Sequence, residues 1–318
     1  MSGALPAEFA LIARHFRALA GPGARDLQDD VAVLAPPTGR ELVLTCDAMV
    51  GGVHFLPDDP PDLVGRKLLR VNLSDLAAKG ATPVGYLITV SAPRGTPDDW
   101  FAAFADGLRQ DQLEFGITLL GGDTTSTPGP VSLSLTAIGH VAPGEAPQRA
   151  GAAAGDGIFV TGTIGDGTLG LAVARGKLAD PSGHLLSRYR LPQPRIGLAI
   201  GGIVSAAMDV SDGLVQDLGH ICRASRLAAE IDGARVPLSE AARAAGPEWL
   251  TTCLTGGDDY EVLMAVPPDR EPALRQAART AGVSATQIGE FRAGSPHVVV
   301  RAPDGQPMAL ERTGWSHF

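Results

Sequence analysis

The sequence predicts an α+β/α/β protein of two domains, each a mixed sheet with helices on one face. Three observations predict this. The chain has 318 residues, more than one ordinary core holds. Short, near-continuously apolar runs alternate with longer runs of helical period. A stretch without periodicity, VAPGEAPQRAGAAAGDG over 141–157, interrupts the pattern near the middle; its Gly, Ala and Pro content marks a linker. The expected domains are residues 1–148 and 149–318.

Taken in order, ALPAEFALIARHF near the N-terminus reads as an amphipathic helix; Glu8 inside it argues against a signal peptide. VAVLA (31–35) and ELVLTCD (41–47) read as strands. A helix is expected over 61–81, where Leu63, Leu69, Leu73 and Leu76 fall close to helical spacing. VGYLITVSA (84–92) is a strand, and the helix DDWFAAFADGLRQDQLEFG stops at Gly116. ITLLGGD and VSLSLTAIGHV return to strand. Beyond the linker, GIFVTG, AAMDVSD, AAEID, YEVLMAVP and HVVVRAP read as strands, with helices near 167–176, 213–225, 239–245 and 270–281.

Composition narrows the function. The formal charge is −9 and no Lys/Arg block occurs, so nucleic acid and anionic membrane surfaces are disfavoured as partners. LAIGGIVSAAM, the longest weakly polar run, is too short to span a bilayer. Three cysteines, widely spaced and without CxxC, indicate neither a disulfide framework nor structural zinc; a reducing cytoplasm is expected. The 40 glycines and 25 prolines lie between periodic segments, which signals tight turns rather than disorder.

The chemistry-bearing pattern is an aspartate at the end of an apolar run, beside Gly, Ser or Thr. It occurs at Asp29-Asp30, Thr45-Cys46-Asp47, Asn72-Leu73-Ser74-Asp75, Gly121-Gly122-Asp123-Thr124, Asp209-Val210-Ser211-Asp212-Gly213 and Gly256-Gly257-Asp258-Asp259. Singly, each has a local explanation, because Asp and Ser cap helices and Gly permits turns. Together they suit magnesium, which takes hard oxygen ligands and is often held by one or two carboxylates plus phosphate oxygens. Asp75 falls on the helical face of Leu68 and Asn72, where burying a carboxylate needs a partner; a metal serves better than Lys79, the only nearby cation. Asp212 is as well explained by capping the next helix as by metal, whereas Asp209 ends a strand with no helix to cap.

GTIGDGTLG contains a literal GxGxxG, but no strand-like run with a terminal acid follows about twenty residues on, so a nicotinamide site is rejected. The loop is expected to be a glycine-rich turn into a helix that could lie near phosphate. His54 is either a ligand contact or a structural histidine. Arg149 is free to meet phosphate or to remain an exposed linker residue. Trp315, near the chain end, either packs on its own domain or stacks on a ligand ring.

FALIARHF, DDVAVL, TCDAMVGGVHF, VNLSDLAAKGA, LLGGDTT, VTGTIGD, MDVSDGLVQDLGHI, LTGGDDYEVL and GWSHF occur in this order. In these motifs the chain resembles the thiamine-monophosphate kinase family, of the aminoimidazole ribonucleotide synthetase-like superfamily. Selenophosphate synthetase-like relatives use a reactive Cys or Sec near the N-terminus, whereas the first cysteine here is Cys46; hydrogenase-maturation relatives use a C-terminal Cys, whereas this chain ends in Phe318.

The resemblance implies ATP-dependent phosphorylation of thiamine monophosphate to thiamine diphosphate by a cytoplasmic homodimer built on N-terminal sheets, with the nucleotide in a cleft between domains. It implies several Mg²⁺ ions held by Asp30, Asp47, Asp75, Asp123, Asp209 and Asp212, with Thr45 and the Cys46 backbone completing the shell. Gly122, Asp123, Arg149 and Ser211 would contact ATP, and His54, Asp258 and Trp315 the thiamine phosphate. No residue is expected to act as a general base. The chain departs from the family at Gln28, where Gly is usual, at Ala48, where Thr is usual, and at Cys46, where a hydroxyl residue is usual. None of these changes removes a carboxylate.

Overall fold

The computed structural model of the protein describes residues 7–302 and 304–317. They fall into two units: the chain up to Leu76 with Thr82–His140, and Ala77–Ala81 with the chain from Val141 onward.

The first unit begins with α1 (Ala7–Leu11), which widens into a π turn over Ile12–Phe16 and then tightens into a 3₁₀ turn at Arg17–Leu19 rather than continuing as the regular helix expected of ALPAEFALIARHF; the first residues of that segment lie outside the described ones. The elements that follow are β1 (Glu41–Val50), α2 (Pro61–Ala78), β2 (Thr82–Pro93), α3 (Asp98–Phe115), β3 (Thr118–Thr127) and β4 (Ser132–Val141). The strands form a mixed sheet in the order β1-β4-β2-β3, with β2 parallel to β3 and antiparallel to β4. Helix α3 ends at Gly116, whose φ of 66° suits the left-handed turn that releases the chain.

Two glycines let α2 and α3 meet backbone to backbone. A Cβ on Gly107 would lie 2.0 Å from the Asp62 carbonyl oxygen, and one on Gly65 2.5 Å from that of Phe104. Beside this contact Asp111, fully buried, accepts from Arg66 Nε at 2.7 Å and from Arg70 Nε and Nη2 at 2.7 and 2.9 Å. The charges are buried but mutually satisfied, which is the condition for tolerating them.

The strand expected at 31–35 does not form. Val31 and Val33 stand more than half exposed, and Val33 N donates to the Gly23 carbonyl instead of to a strand. Alternating apolar residues make a strand only where a neighbouring edge and a core face receive them.

The second unit comprises β5 (Gly157–Thr161), α4 (Asp166–Ala174), α5 (His184–Arg190), β6 (Ala206–Asp209), α6 (Leu214–Ser225), β7 (Ala228–Asp232), α7 (Glu240–Ala245), α8 (Leu250–Thr255), β8 (Val262–Val266), α9 (Glu271–Thr280), β9 (Ala285–Arg292) and β10 (His297–Arg301). Its six-stranded sheet runs β10-β7-β9-β5-β8-β6, with β10 parallel to β7 and the other pairings antiparallel. Ile158, Val160, Met208, Leu263 and Ala265 share a core with Leu214, Leu218 and Ile221 of α6. The alternate residues Phe159, Ala207, Val262 and Met264 pack with Leu274 and Ala278 of α9. Burial on both faces is why β5 and β8 read as unbroken apolar runs. Helices α5 and α8 and strand β9 have weak periodic signals, and the sequence predicts no element at any of the three.

Candidate functional site

In the first unit three candidate residues, Thr45, Asp47 and Asp75, meet where β1 passes α2. Thr45 and Asp47 are two apart on β1 and therefore share a face. Thr45 Oγ1 donates to Asp75 Oδ2 at 2.5 Å, and Asp47 N donates to Asn72 Oδ1 at 3.0 Å. Asn72 is fully buried and its Nδ2 donates to the Leu68 carbonyl, so its amide fastens strand to helix. The sequence assigns Asn72 no such role; the available signal is its i−3 spacing from Asp75. Asp75 is flanked by the fully buried Leu73, Ser74 and Leu76, and its one bonding partner among the described residues is the neutral Thr45 hydroxyl. Lys79, the cation expected nearby, donates to the Ala207 carbonyl at 2.8 Å.

Cys46 points to the opposite, exposed face of β1, with Sγ 3.5 Å from Ser134 Oγ; only its backbone lies with Thr45 and Asp47. Gly122 and Asp123 sit on β3, at the other edge of the sheet from β1, and both are exposed. A Cβ on Gly122 would lie 1.8 Å from the Ile88 carbonyl oxygen, so the close approach of β3 to β2 demands glycine there. Asp30 is exposed in a turn whose shape Asp29 sets: Asp29 Oδ1 accepts from Asp30 N at 2.8 Å while Oδ2 pairs with Arg25. The hydrogen bond from Arg25 holds the Asp29 carboxyl below its usual range. Gln28 faces the Arg17 guanidinium. His54 closes a turn of its own, its Nδ1 accepting from Val50 N at 2.9 Å.

In the second unit three loops interlock. Strand β6 ends at the buried Asp209, and Val210–Gly213 leads into α6. Val210 N donates to the Glu261 carbonyl, Asp258 N to the Ser211 carbonyl and Tyr260 N to the Val210 carbonyl, at 2.8–2.9 Å. Asp258 and Tyr260 take left-handed conformations, with φ of 73° and 53°, to make these bonds. Asp212 does not cap α6. Gly213 holds the N-cap position without a side-chain cap, and Asp217, one turn in, accepts from the backbone N–H groups of Ser211, Asp212 and Gly213, each at 3.1 Å. Burial, then the neighbouring Asp212 charge, pushes the Asp217 carboxyl up to about 7. In the sequence Asp217 reads only as part of a helix; an acid in a first turn is the available signal.

The glycine-rich loop before α4 also differs from expectation. The fully buried Asp259 accepts from Gly165 N at 2.8 Å and Gly167 N at 3.1 Å. The amides that look open to phosphate in the sequence are thus taken by a protein carboxylate, which burial pushes well above its ordinary value. A Cβ on Gly167 would lie 2.1 Å from the Asp258 carbonyl oxygen, so the two loops touch through backbone alone. Trp315 docks its backbone on the same assembly: its N donates to the Asp212 carbonyl at 2.9 Å while the side chain stays 51% exposed. Arg149 is exposed. Phe318, the last residue of the terminal motif, lies outside the described residues.

Among the described residues no three His, Cys, Asp or Glu side chains group closely enough to hold a metal ion by themselves. The β1–α2 group nevertheless fits a hard cation. It offers two carboxylates, a hydroxyl and backbone oxygen, and Asp75 has no cationic partner there. Magnesium is commonly bound by one or two carboxylates, with water and substrate phosphates filling the remaining positions.

Two family models match the chain: the N-terminal domain of AIR synthase related protein over residues 28–141, and its C-terminal domain over 153–301. The chain is 46% identical over 326 aligned residues to thiamine-monophosphate kinase of Caulobacter vibrioides, covering 99% of this chain and 92% of that protein. The crystal structure of thiamine-monophosphate kinase from Stenotrophomonas maltophilia is 38% identical, with a TM-score of 0.79 over 95% of this chain and 98% of that one. AaThiL, solved in complex with AMPPCP and TMP, is 30% identical, with a TM-score of 0.78 over 91% of each chain.

Proposed function

The chain belongs to the thiamine-monophosphate kinase family, and from that premise we propose that it transfers the γ-phosphoryl group of ATP to the phosphate of thiamine monophosphate, giving thiamine diphosphate and ADP. The observation that carries this reading is the full-length match at 46% identity, which spans every aspartate motif.

The acceptor is a phosphate monoester whose second pKa lies near 6, so at pH 7 it is mostly a dianion and needs no base to become a nucleophile. The difficulty is to bring two polyanions together on a chain of net charge −9. Magnesium, when bound, neutralises phosphate oxygens and stabilises the charge that moves between donor and acceptor. We assign its ligands to Asp30, Asp47, Asp75, Asp123, Asp209 and Asp212, with the Thr45 hydroxyl and the Cys46 carbonyl beside them. The Thr45–Asp75 contact and the Asn72 amide at Asp47 N support the Thr45, Asp47 and Asp75 part of this assignment, because they fasten β1 to α2 at these residues. Asp217 and Asp259 act on the protein instead: they hold the backbone of the second unit's loops and so set where Asp212 and Asp258 stand.

Gly122, Asp123, Arg149 and Ser211 are assigned to ATP, and His54, Asp258 and Trp315 to thiamine monophosphate. The indole of Trp315, half exposed and edge-on to the His317 ring while its backbone is bonded to Asp212 and Gln216, is suited to stacking on the substrate ring. We assign ATP and Mg²⁺ binding and dimerisation to residues 1–148, and completion of the ATP and substrate site to 149–318. We further place the protein in the cytoplasm as a homodimer. Its three cysteines are free thiols, and no helix among the described residues is long and apolar enough to cross a membrane. The exposed face of β1 carries Leu42 and Leu44, 41% and 61% exposed, an apolar strand face of the kind a second copy would cover.

The test is thiamine diphosphate formation from thiamine monophosphate and ATP, with and without Mg²⁺. Product is expected only with the metal; no product at saturating substrates and Mg²⁺ rejects the proposal.

A further inference from the structure

The C-terminal segment reaches the second unit's loops through one side chain that the family reading leaves without a role. Gln216 lies in the first turn of α6, one turn after Asp212. Its Nε2 donates to the Trp315 carbonyl at 2.5 Å and to Asp212 Oδ2 at 3.2 Å. A primary amide nitrogen carries two hydrogens, so this pair of bonds uses its full donor capacity. The approach is tight, since a Cβ on Gly314 would lie 2.4 Å from Gln216 Cβ. The backbone bond from Trp315 N to the Asp212 carbonyl closes the arrangement from the other side. Chain ends stay poorly ordered unless tied down, and these bonds tie this one down beside an indole that remains 51% exposed.

We propose that Gln216 is a positioning residue for thiamine monophosphate: its amide latches residues 314–315 onto α6 and the Asp212 loop, holding the Trp315 indole ready to stack on the substrate ring. The inference rests on the assignment of Trp315 to that ring. It goes beyond that assignment by naming what places the indole. By ordering the tail before substrate arrives, the latch lowers the entropy cost of binding. It acts chiefly on the acceptor; because the same amide also bonds Asp212 Oδ2, assigned above to Mg²⁺, a smaller effect on MgATP accompanies it.

The test uses the full-length protein in four forms: wild type, Gln216→Ala, Trp315→Ala and the double variant, with Gln216→Glu as a fifth. Initial rates give KM for thiamine monophosphate and for MgATP separately, and hydrogen exchange of the 312–317 segment reports the latch without substrate. Loss of the neutral hydrogen bond to the Trp315 carbonyl predicts that Gln216→Ala raises KM for thiamine monophosphate about 3- to 10-fold, and by more than it raises KM for MgATP, which the lost bond to Asp212 also touches. Exchange in the tail should rise by a similar factor. In the Trp315→Ala background Gln216→Ala should add nothing, because the two residues act as one unit. Gln216→Glu keeps shape but has no donor and faces two oxygens, so it should be at least as impaired as Gln216→Ala; near-wild-type behaviour would mean the residue only fills space and would overturn the proposal. Unchanged tail exchange in Gln216→Ala overturns the latch. Faster exchange with unchanged KM, while Trp315→Ala raises KM, overturns the positioning role. If Trp315→Ala itself leaves KM unchanged, the assignment of Trp315 fails first and the positioning role falls with it. Absence of any turnover in the wild type would mark failure of the kinase reading instead.

Discussion

Replacing Asp75 by Asn separates a structural carboxylate from a metal-holding one. In the structure Asp75 accepts a single hydrogen bond, from the Thr45 hydroxyl at 2.5 Å, and has no cationic partner among the described residues. Asn keeps an acceptor oxygen in nearly the same place. The folded state therefore exchanges a charge-assisted bond, worth about 1.5–3 kcal/mol, for a neutral one worth about 0.5–1.5 kcal/mol, a loss of about 1 kcal/mol. Removing an uncompensated negative charge from a helix face flanked by buried residues works in the opposite direction. The net change in stability should stay below about 1 kcal/mol, a shift of about 2–4 °C in Tm. Turnover should respond very differently. A carboxylate that holds Mg²⁺ against the transferring phosphoryl group acts where charge moves, and its loss should lower kcat/KM by about 10³-fold or more, roughly 4 kcal/mol. The assay couples ADP release to NADH oxidation, with thiamine diphosphate confirmed by chromatography and Tm measured on the same samples. Activity within about tenfold of wild type, with an unchanged Mg²⁺ requirement, refutes the reasoning and returns Asp75 to a purely structural role.

Four further outcomes are expected of the same structure. Asp111→Ala removes the fully buried carboxylate shared by Arg66 and Arg70, leaving them the half-exposed Glu114, and should destabilise the protein by up to about 3–5 kcal/mol in urea titration; a loss under about 1 kcal/mol contradicts the role given to this ion group. Asp98, which accepts from His15 and Arg14, has its carboxyl held below the ordinary 3.8, so its contribution is present above that value and is lost as pH falls through the lowered one. The Tm deficit of Asp98→Ala should accordingly be seen at pH 7 and close as the solution is acidified below about pH 4; a constant deficit would argue against linkage. Gly167→Ala places a Cβ 2.1 Å from the Asp258 carbonyl oxygen, and the forced backbone shift should cost about 1–3 kcal/mol and raise KM for thiamine monophosphate; unchanged kinetics would uncouple this loop from the site. Leu44→Glu puts a charge on the exposed apolar face of β1 and should yield monomers by analytical ultracentrifugation, whereas a persistent dimer would place the interface elsewhere.

Much of this protein is legible in its sequence, for local reasons. Strands β5 and β8 announce themselves because both faces are buried, and α3 ends where Gly116 makes a left-handed turn inexpensive. The aspartate motifs stand out because Asp, Gly and Ser at the end of an apolar run are conspicuous in any context. The failures share a cause: each depends on what lies opposite in space. VAVLA has the alternation of a strand and no edge to pair with, so Val31 and Val33 remain exposed. Asp212 has the spacing of a cap, yet Asp217 takes the loop amides. The amides of Gly165 and Gly167 resemble a phosphate cradle in the sequence, but Asp259, more than ninety positions away in the chain, fills it.

By itself, then, the sequence determined the two α/β units, the inventory of carboxylates and, through nine collinear motifs, the family. Only the tertiary structure decided which carboxylates stay exposed, as Asp30 and Asp123 do, and which turn inward to hold backbone, as Asp217 and Asp259 do. A carboxylate's role depends on which N–H groups and charges surround it, and those neighbours come from distant parts of the chain. Gln216 obeys the same rule: nothing in LVQDLGHI marks the glutamine, and its role exists only because residues 314–315 fold back onto it.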